Sequence, residues 1–468
     1  MATAESVQAF MAQMQDLGGV VVTAQPKLDL DLYIQNYTGR TRCERLLHIG
    51  KSSVPLCVDA LKAAVREAKS SRDVRRYKEV WEAIRIAAPN DPDAIRDEDW
   101  IERVTRENKI ETVRLENELK GYKNNLIKES IRMGNEDLGK HFMTIGLLNE
   151  AAEAFGRMRH DVTTAKQIID CGLLVVNVSL QRNDWNLALT NVGKITGFQP
   201  SDEDGVNVQP FVKIASGIAL LGLGSFNDAA KSFLGANLTS STTDLRTLVS
   251  PHDVAVYGGL LALATMDRSE LQKRVLDNST FKFALEHEPH IRKAISLFVN
   301  GRYAACLEIL EASRPDYLLD IHLCKHVQTI FTQVRSKCIE QYFTPYSCVT
   351  LANLEAAFAR PGESLEDELV GMIKAKTLQA RIDSKAKLLV AVHSNPRLNM
   401  QKNALEVTAK YEREAKERLR RMSLIAAGLE AQGQKQAGNR TATTELDLSE
   451  HFTSDEPMTL PTTLMGQN

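Results

Sequence analysis

Residues 146–155 read GLLNEAAEAF, and residues 224–233 read GSFNDAAKSF, so this chain of 468 residues carries nearly the same decapeptide twice. Each copy has a glycine, a large apolar residue, an Asn–acid pair, two alanines and an aromatic residue. Glycine readily adopts the left-handed conformation that ends a helix, and alanines let the next helix pack closely. The decapeptide therefore predicts the turn of a helical hairpin of the tetratricopeptide (TPR) kind.

Weaker copies of this turn lie between and beyond the two decapeptides. Asn183 opens NDWNLAL, and Gly301 opens GRYAACL. The interval from Gly224 to Gly301 is about twice the other intervals, which predicts a further turn at MDRSEL, residues 266–271. A period of roughly 34 to 45 residues is typical of stacked helix pairs. We therefore expect a mainly α chain built around a TPR-like helical-repeat solenoid.

The last third of the chain changes pattern and predicts a winged helix. Helical spacing continues through residues 321–343 and 347–358, and a third helix opens at Ser364 with a capping box. The segments QARIDS and KLLVAV follow, with β-branched residues on either side of a polar connection, which is typical of a two-stranded ribbon. Three helices followed by a ribbon are the element order of a winged helix.

Two apolar surfaces in this region are candidates for contact with other chains. The strand KLLVAV, residues 387–392, is predicted to offer an open edge for pairing with another strand. Further on, apolar residues recur at steps of three and four along a separate amphipathic helix, and an exposed stripe of this kind indicates an interface. The candidate interface residues are Leu388, Val390, Val392, Tyr411, Leu419, Met422, Ile425 and Leu429.

These patterns divide the chain into six parts. A charged helix within the second part has a narrow apolar stripe that is predicted to include Ile110 and Val113. The last part is rich in Gln, Gly, Ser and Thr and has no periodicity, the composition of a disordered segment. The predicted parts are a flexible leader (1–26), an N-terminal helical region (27–130), TPR-like repeats (131–300), a winged-helix part (301–395), a C-terminal helix (396–430) and a disordered tail (431–468).

Composition limits the classes of function. A net charge of −2 and a pI near 6.6 give no whole-chain attraction to nucleic acid. The chain has no apolar run that approaches the ~20 residues of a membrane-spanning helix, so we expect no membrane partner. The seven cysteines are scattered and never spaced CxxC. Reduced thiols of this kind predict a location in the cytoplasm and nucleus.

Motifs that carry chemistry are incomplete. HIGKSS ends like a phosphate-binding loop, but Arg45 stands where that loop requires its first glycine. His322 and His326 would share one face of a helix, yet no carboxylate pattern completes a zinc site around them. The sequence therefore predicts no catalytic residue, no cofactor and no metal.

Winged helices often bind nucleic acid by placing their third helix in a DNA groove. Here the first turn of that helix holds three carboxylates, residues 366–368, which would repel phosphates. Lys374, Lys376 and Arg381 lie near its end and in the ribbon, and they leave weak RNA contact open. The balance disfavours a nucleic-acid partner.

Helical repeats that run into a winged helix and then a lone helix resemble the PCI family. Its module is shared by the proteasome lid, the COP9 signalosome and a translation initiation factor complex. The resemblance covers roughly residues 28–400 and is closer to the signalosome branch. It is carried by LDLDLYIQNYTGRTRCERLLHIG (28–50), GYKNNLIKESIRMGNEDLGKHF (121–142) and TTAKQIIDCGLLVVNVSLQRNDW (163–185). The whole PCI module would span about residues 250–410.

This resemblance implies a non-catalytic scaffold that contacts other signalosome subunits through its winged helix and through a bundle of C-terminal helices. The assembled complex would remove the ubiquitin-like modifier NEDD from cullins of cullin-RING ubiquitin ligases, with a zinc isopeptidase that another subunit carries. It would thereby regulate ubiquitin-dependent degradation. Two alternatives share the architecture: a PCI subunit of the 26S proteasome lid, and an RNA-associated PCI subunit of a translation initiation factor complex.

Overall fold

The computed structural model describes residues 2–197, 202–238, 245–358, 364–392 and 396–429. Residues up to Val392 form one compact unit, and the helix that begins at Pro396 belongs to a second. The predicted tail, residues 431–468, lies outside the described residues.

The N-terminal region is helical and has its own apolar core around Leu61, Tyr77 and Ile84. Side chains at steps of three and four on consecutive helices close this core, as expected for amphipathic segments. Its helices are α1 (Ala2–Asp16), α2 (Leu30–Ile34), α3 (Gly39–Ser52), α4 (Cys57–Ser70), α5 (Val74–Ala87) and α6 (Glu98–Asn124), with a 3₁₀ turn at Pro92–Ala94.

The segment before Pro26 is folded, so the prediction of a flexible leader over residues 1–26 is wrong. Val7, Phe10 and Met11 lie on one face of α1 and are buried in the N-terminal core. The Ser6 hydroxyl donates to the carbonyl of Ala87 at the end of α5, at 2.8 Å. The buried face of this helix consists of three apolar residues at positions i, i+3 and i+4, which is too short a pattern to identify a helix from the sequence.

The long charged helix α6 buries a narrower stripe than predicted. Trp100, Val104 and Leu119 are buried, whereas Ile110 is 63% exposed and Val113 is 48% exposed. Each residue turns a helix by about 100°, which places Ile110 about 120° around the helix from Val104 and about 180° from Leu119. The assignment of Ile110 and Val113 to the apolar stripe is therefore wrong.

Helix pairs follow one another through the middle of the chain, which confirms the helical-repeat architecture. From Ile169 onward their apolar faces merge into one core that extends into the winged helix, and the pair before it has a smaller core of its own around Phe142 and Phe155. The helices are α7 (Lys128–Thr144), α8 (Leu148–Met158), α9 (Ala165–Gln181), α10 (Trp185–Gly197), α11 (Asp202–Gly222), α12 (Phe226–Leu234), α13 (Pro251–Thr265), α14 (Arg268–Leu271), α15 (Ser279–His287), α16 (Pro289–Val299), α17 (Tyr303–Ala312) and α18 (Arg314–Leu318).

The repeated turns share one backbone geometry. Gly146, Gly224 and Gly301 have φ of +80°, +78° and +75°, and Asn183 has φ of +58°. In each turn the residue after this position donates its N–H to a carbonyl five residues back, for example Leu147 to Phe142 at 2.9 Å. These are the bonds of a Schellman C-cap, which needs a left-handed residue at its centre. These four predicted turns are confirmed. The fifth, predicted at residues 266–271, does separate two helices, Pro251–Thr265 and Arg268–Leu271, but it has no left-handed residue.

A second glycine precedes each decapeptide and completes the repeat. A Cβ at Gly139 would lie 2.4 Å from the buried ring of Phe155, and one at Gly217 would lie 2.7 Å from the ring of Phe233. The aromatic residue of each decapeptide therefore packs directly on the backbone of the preceding helix. Close packing of helix pairs depends on both residues, and only the aromatic one lies within the repeated decapeptide.

The winged helix has a third strand that changes the assignment of its edge. Its elements are α19 (Val327–Phe343), β1 (Cys348–Thr350), α20 (Leu351–Phe358), α21 (Leu365–Lys374), β2 (Ala380–Asp383) and β3 (Leu388–Ala391). The antiparallel order is β1–β3–β2, and Leu389 of β3 lies opposite both Val349 and Ile382. The strand predicted to be an open edge is thus the central strand, because the short β1 pairs with its other side.

The second unit contains one long helix, α22 (Pro396–Ala426), in its described part. Gly428, with φ of +66°, ends it with the same Schellman geometry as the repeats, since Leu429 donates its N–H to the carbonyl of Leu424 at 3.0 Å. Ion pairs one turn apart, such as Lys416 with Glu412 at 2.5 Å, support the polar face.

Candidate interaction surfaces

The apolar stripe of α22 is exposed to solvent. Tyr411, Leu419, Met422, Ile425 and Leu429 are between 58% and 72% exposed. The stripe is also longer than the sequence analysis proposed, because Met400 and Val407 continue the same helical face and are 75% and 60% exposed. Burial of such a stripe requires a partner surface, and its use as an interface stays a prediction.

The outer face of the winged-helix sheet is the second candidate surface. Leu389 points into the core and is fully buried, so the alternation of a strand places Leu388, Val390 and Val392 on the opposite face. Val390 and Val392 are 39% and 37% exposed, and Leu388 is half-buried. These residues therefore offer side chains on a sheet face, whereas the free backbone groups lie on β1 and β2.

The acidic first turn of α21 is largely engaged within the chain. The buried Arg335 guanidinium binds both carboxylate oxygens of Glu368 at 2.8 and 2.9 Å and donates to the Phe358 carbonyl at 2.7 Å. Lys387 binds Glu366 at 2.8 Å. The carboxylates thus hold α19, α21 and β3 together, and their repulsion of phosphates is weaker than the sequence suggested.

Sequence reasoning missed a buried cluster of charges that joins the N-terminal region to the segment leading into the winged helix. Arg45 of α3 is fully buried, and it binds Asp320 at 2.7 Å and Asp253 of α13 at 3.0 Å. Its guanidinium also lies 4.2 Å from the ring centroid of Tyr37. Two phenols complete the cluster: Tyr37 donates to Asp253 at 2.8 Å, and Tyr257 donates to Asp320 at 2.7 Å.

The electrostatics of this cluster follow from burial. Burial alone would raise the pKa of Asp320, but Arg45 beside it brings the pKa down to about 2. Burial and the neighbouring Asp320 raise the pKa of Asp253 in spite of Arg45. Burial also lowers the pKa of His322, next to Asp320, to about 4. Burying two carboxylates and one guanidinium is favourable only when each finds partners, as here.

The predicted histidine pair does not converge. His322 lies in a turn and His326 is the N-cap of α19, so the two do not share a helical face. Within the part of the chain that the structure describes, no group of three or more His, Cys, Asp and Glu side chains could hold a metal ion. None of the helices described there is both long and apolar enough to cross a bilayer. The expectation of no catalytic residue and no cofactor stays a prediction.

Comparison with family models agrees with this architecture. Residues 97–274 match the model described as 26S proteasome subunit RPN7, and residues 304–393 match the PCI domain. The first range runs from the start of α6 to the helix pairs, and the second runs from α17 to the end of the winged-helix sheet.

Full-length relatives identify the branch. The chain is 46% identical to COP9 signalosome complex subunit 1 of Neurospora crassa over 452 residues, which cover 97% of this chain and 98% of that protein. It is 46% identical to the subunit 1 of Emericella nidulans over 88% of this chain and 84% of that protein. The subunit 1 of Arabidopsis thaliana is 36% identical over 86% of this chain and 91% of that protein. The chain belongs to the family of COP9 signalosome complex subunit 1.

Proposed function

We propose that this chain is a non-catalytic scaffold subunit of the COP9 signalosome. The complex removes the ubiquitin-like modifier NEDD from cullins of cullin-RING ubiquitin ligases, and another subunit carries the isopeptidase. The observation that carries the proposal is the 46% identity that runs through 97% of the chain, from the N-terminal helices to beyond the winged helix. An end-to-end match of this kind favours the same place in the same assembly.

The physical character of the surfaces supports a scaffold. Stacked helix pairs provide extended surface, and each pair buries its apolar face against its neighbours. The α22 stripe and the outer sheet face display apolar side chains that water solvates poorly. In the proposal, other signalosome subunits cover both surfaces, through the winged helix and through a bundle of C-terminal helices.

A lid subunit of the 26S proteasome is the second candidate, favoured by the RPN7 match of residues 97–274. That match covers the repeats, a part of the architecture that the two assemblies would share. An RNA-associated subunit of an initiation complex is a third candidate, since two of the three carboxylates that would repel phosphates are engaged by Arg335 and Lys387.

Native mass spectrometry of complexes captured through a C-terminal tag tests the proposal. We expect an assembly of several subunits that contains a zinc isopeptidase and cleaves NEDD from cullin. Recovery with proteasome ATPases, or RNA retention that falls with salt, would transfer the chain to one of the alternatives.

Variants of α22 sharpen this test. Ile425→Glu places a charge in the stripe, and Ala409→Glu places the same charge roughly 160° away around the helix. We expect Ile425→Glu to reduce recovery of the complex and Ala409→Glu to leave it unchanged. Equal recovery with both variants would remove the stripe from the interface.

The chain is also proposed to reside in both the cytoplasm and the nucleus. Its cysteines are free and mostly buried among the described residues, which suits a reducing compartment. Imaging of the tagged chain expressed from its own promoter would test this, and confinement to the secretory pathway would contradict it.

A further inference from the structure

A cavity of about 680 Å³ lies between the segment that contains α2 and the region that leads into the winged helix. Residues 27–36 form one wall, where the side chain of Leu32 is exposed beside the opening. The opposite wall comes from α13, the start of α16, and α18 with the turn after it. A volume of this size is in the range of sites that hold small organic groups, roughly 300 to 1,000 Å³.

The lining of the cavity is acidic and aromatic. Its charged and aromatic residues include Asp29, Asp253, Glu288, Asp316, Asp320, Lys27, Tyr33, Tyr257 and Tyr317. Most of the buried carboxylates have counter-charges within the chain. Arg45 binds Asp253 and Asp320. Glu288 pairs with the imidazoles of His252 at 2.9 Å and His290 at 3.0 Å.

Asp316 differs from these neighbours. One of its carboxylate oxygens accepts the backbone N–H of Lys27 at 2.9 Å, and none of the described residues forms an ion pair with it. Burial raises the pKa of Asp316, and the backbone N–H groups of Lys27 and Leu28 and the nearby charges of Lys27 and His290 offset this rise only in part. Tyr317 follows it in the chain and is held by a 2.8 Å hydrogen bond between its hydroxyl and the Nε2 atom of His290.

We propose that this cavity binds an organic cation, an alkylammonium or guanidinium group on an apolar stem, with Asp316 as its counter-ion. Tyrosine faces attract cations, and the apolar residues of the walls receive the stem. An anionic ligand would meet five carboxylates in the lining, where the cationic groups are the ammonium of Lys27 and two imidazoles, His252 and His290, that already pair with Glu288. The cation comes either from a free amine or from a lysine or arginine side chain of a partner peptide, two sources with the same recognition chemistry.

Isothermal titration of the purified full-length chain tests the site with two probes, agmatine and a capped Leu-Arg dipeptide. Asp316→Asn keeps an oxygen to accept the Lys27 N–H and removes the charge. Asp137→Asn makes the same change at an exposed position of α7 and serves as the control. We expect Asp316→Asn to weaken binding at least tenfold and Asp137→Asn to leave it unchanged.

A second variant guards against a folding defect. Val256→Trp fills the cavity from the half-buried wall of α13 without a change in charge, and it should also abolish binding. Tighter binding of agmatine identifies a free amine as the ligand, and tighter binding of the dipeptide identifies a partner side chain. Absence of binding by wild type at millimolar probe, equal affinity in Asp316→Asn, or preference for inorganic phosphate would each overturn the proposal. Because the titration needs no other subunit, its outcome is independent of membership in the signalosome.

Discussion

Replacement of Arg45 by leucine is the sharpest test of how the N-terminal region is held. The substitution removes a fully buried cation that binds two carboxylates, Asp253 and Asp320, at 3.0 and 2.7 Å. Both carboxylates would keep hydrogen bonds, from Tyr37 and from Tyr257, so what they lose is mainly compensation of charge. Removal of one partner from a buried ion pair typically costs about 3–5 kcal/mol.

The proton sets an upper limit to this cost. Each of the two stranded carboxylates can escape its charge by taking up a proton. At pH 7 the limit for the pair is about 8 kcal/mol, since proton uptake by one group with an ordinary pKa near 4 costs about 4 kcal/mol. At pH 5 the same uptake costs about 1.4 kcal/mol. The destabilisation by Arg45→Leu should therefore be about 3–5 kcal/mol at pH 7 and should shrink as the pH falls toward 5.

Native-state hydrogen exchange provides the assay, because a chain of this size need not unfold in two states. We expect faster exchange in α3 and α13 of Arg45→Leu, and partial recovery when Asp253→Asn and Asp320→Asn are added. Arg114→Leu is the matched control, since Arg114 pairs with Glu111 and Glu118 on the exposed side of α6. Exposed pairs contribute about 0–1 kcal/mol. A loss below about 1 kcal/mol for Arg45→Leu, or one that does not change with pH, would refute the reasoning.

Three further predictions concern packing and pH. Gly139→Ala should destabilise the folded chain by about 1–3 kcal/mol, because its Cβ would overlap the buried ring of Phe155. Gly156→Ala in α8 places its Cβ in open space and should stabilise the folded chain by about 0.5–1 kcal/mol. Urea unfolding of both variants measures the two changes. Because the pKa of His322 is lowered to about 4, the folded state resists a proton that the unfolded chain accepts below pH 6.5. Stability should then fall by about 2 kcal/mol between neutral pH and pH 5, and His322→Gln should flatten this fall. The imidazoles of His252 and His290 lower the pKa of Glu288 to about 2 in spite of burial, so the Glu288 carboxylate should stabilise the fold above pH 4.5 and lose this effect as the pH falls. The same contact raises the pKa of His252, so the ion pair should weaken as the pH rises through the raised pKa of His252. NMR titration of the imidazoles in Glu288→Gln should move the pKa of His252 back toward 6.5, and an unmoved value would contradict the pairing.

The parts of the fold that the sequence predicts are those fixed by local geometry. Gly146, Gly224, Gly301 and Asn183 mark their turns because few other residues tolerate positive φ at a helix end. The third helix of the winged domain begins where Ser364 accepts the N–H of Asp367, at 3.4 Å. Each of these signals involves residues within a few positions of one another.

The features that the sequence did not predict depend on contacts between residues that are far apart in the chain. Strand β1 has three residues, too few to display alternation, and it is recognisable only from its pairing with β3. Arg45 reads as one more charge on α3, because its partners lie 208 and 275 positions away. The local sign of its burial is that two buried leucines, Leu46 and Leu47, follow it directly in the chain.

The candidate surfaces divide in the same way. The α22 stripe follows from helical period alone, and the structure lengthens it through Met400 and Val407. The role of β3 did not follow, since a strand's neighbours are not encoded in its own alternation. Its side chains on the outer face remain candidates for contact, while its backbone groups are already paired.

The buried charges stabilise the fold of residues 2–392, whereas the exposed apolar surface of α22 is available for association with another chain. The buried guanidinium of Arg45 is satisfied by carboxylates of its own chain, so the N-terminal helices need no partner to settle against α13. On α22 the reverse holds, because its apolar residues meet water along the whole described helix. A long exposed helix gains little stability from intrahelical ion pairs, each worth about 0.2–0.5 kcal/mol, and most of its stability must come from packing of the stripe. The fold of residues 2–392 is therefore internally secured, and α22 is the element whose order depends most on what it binds.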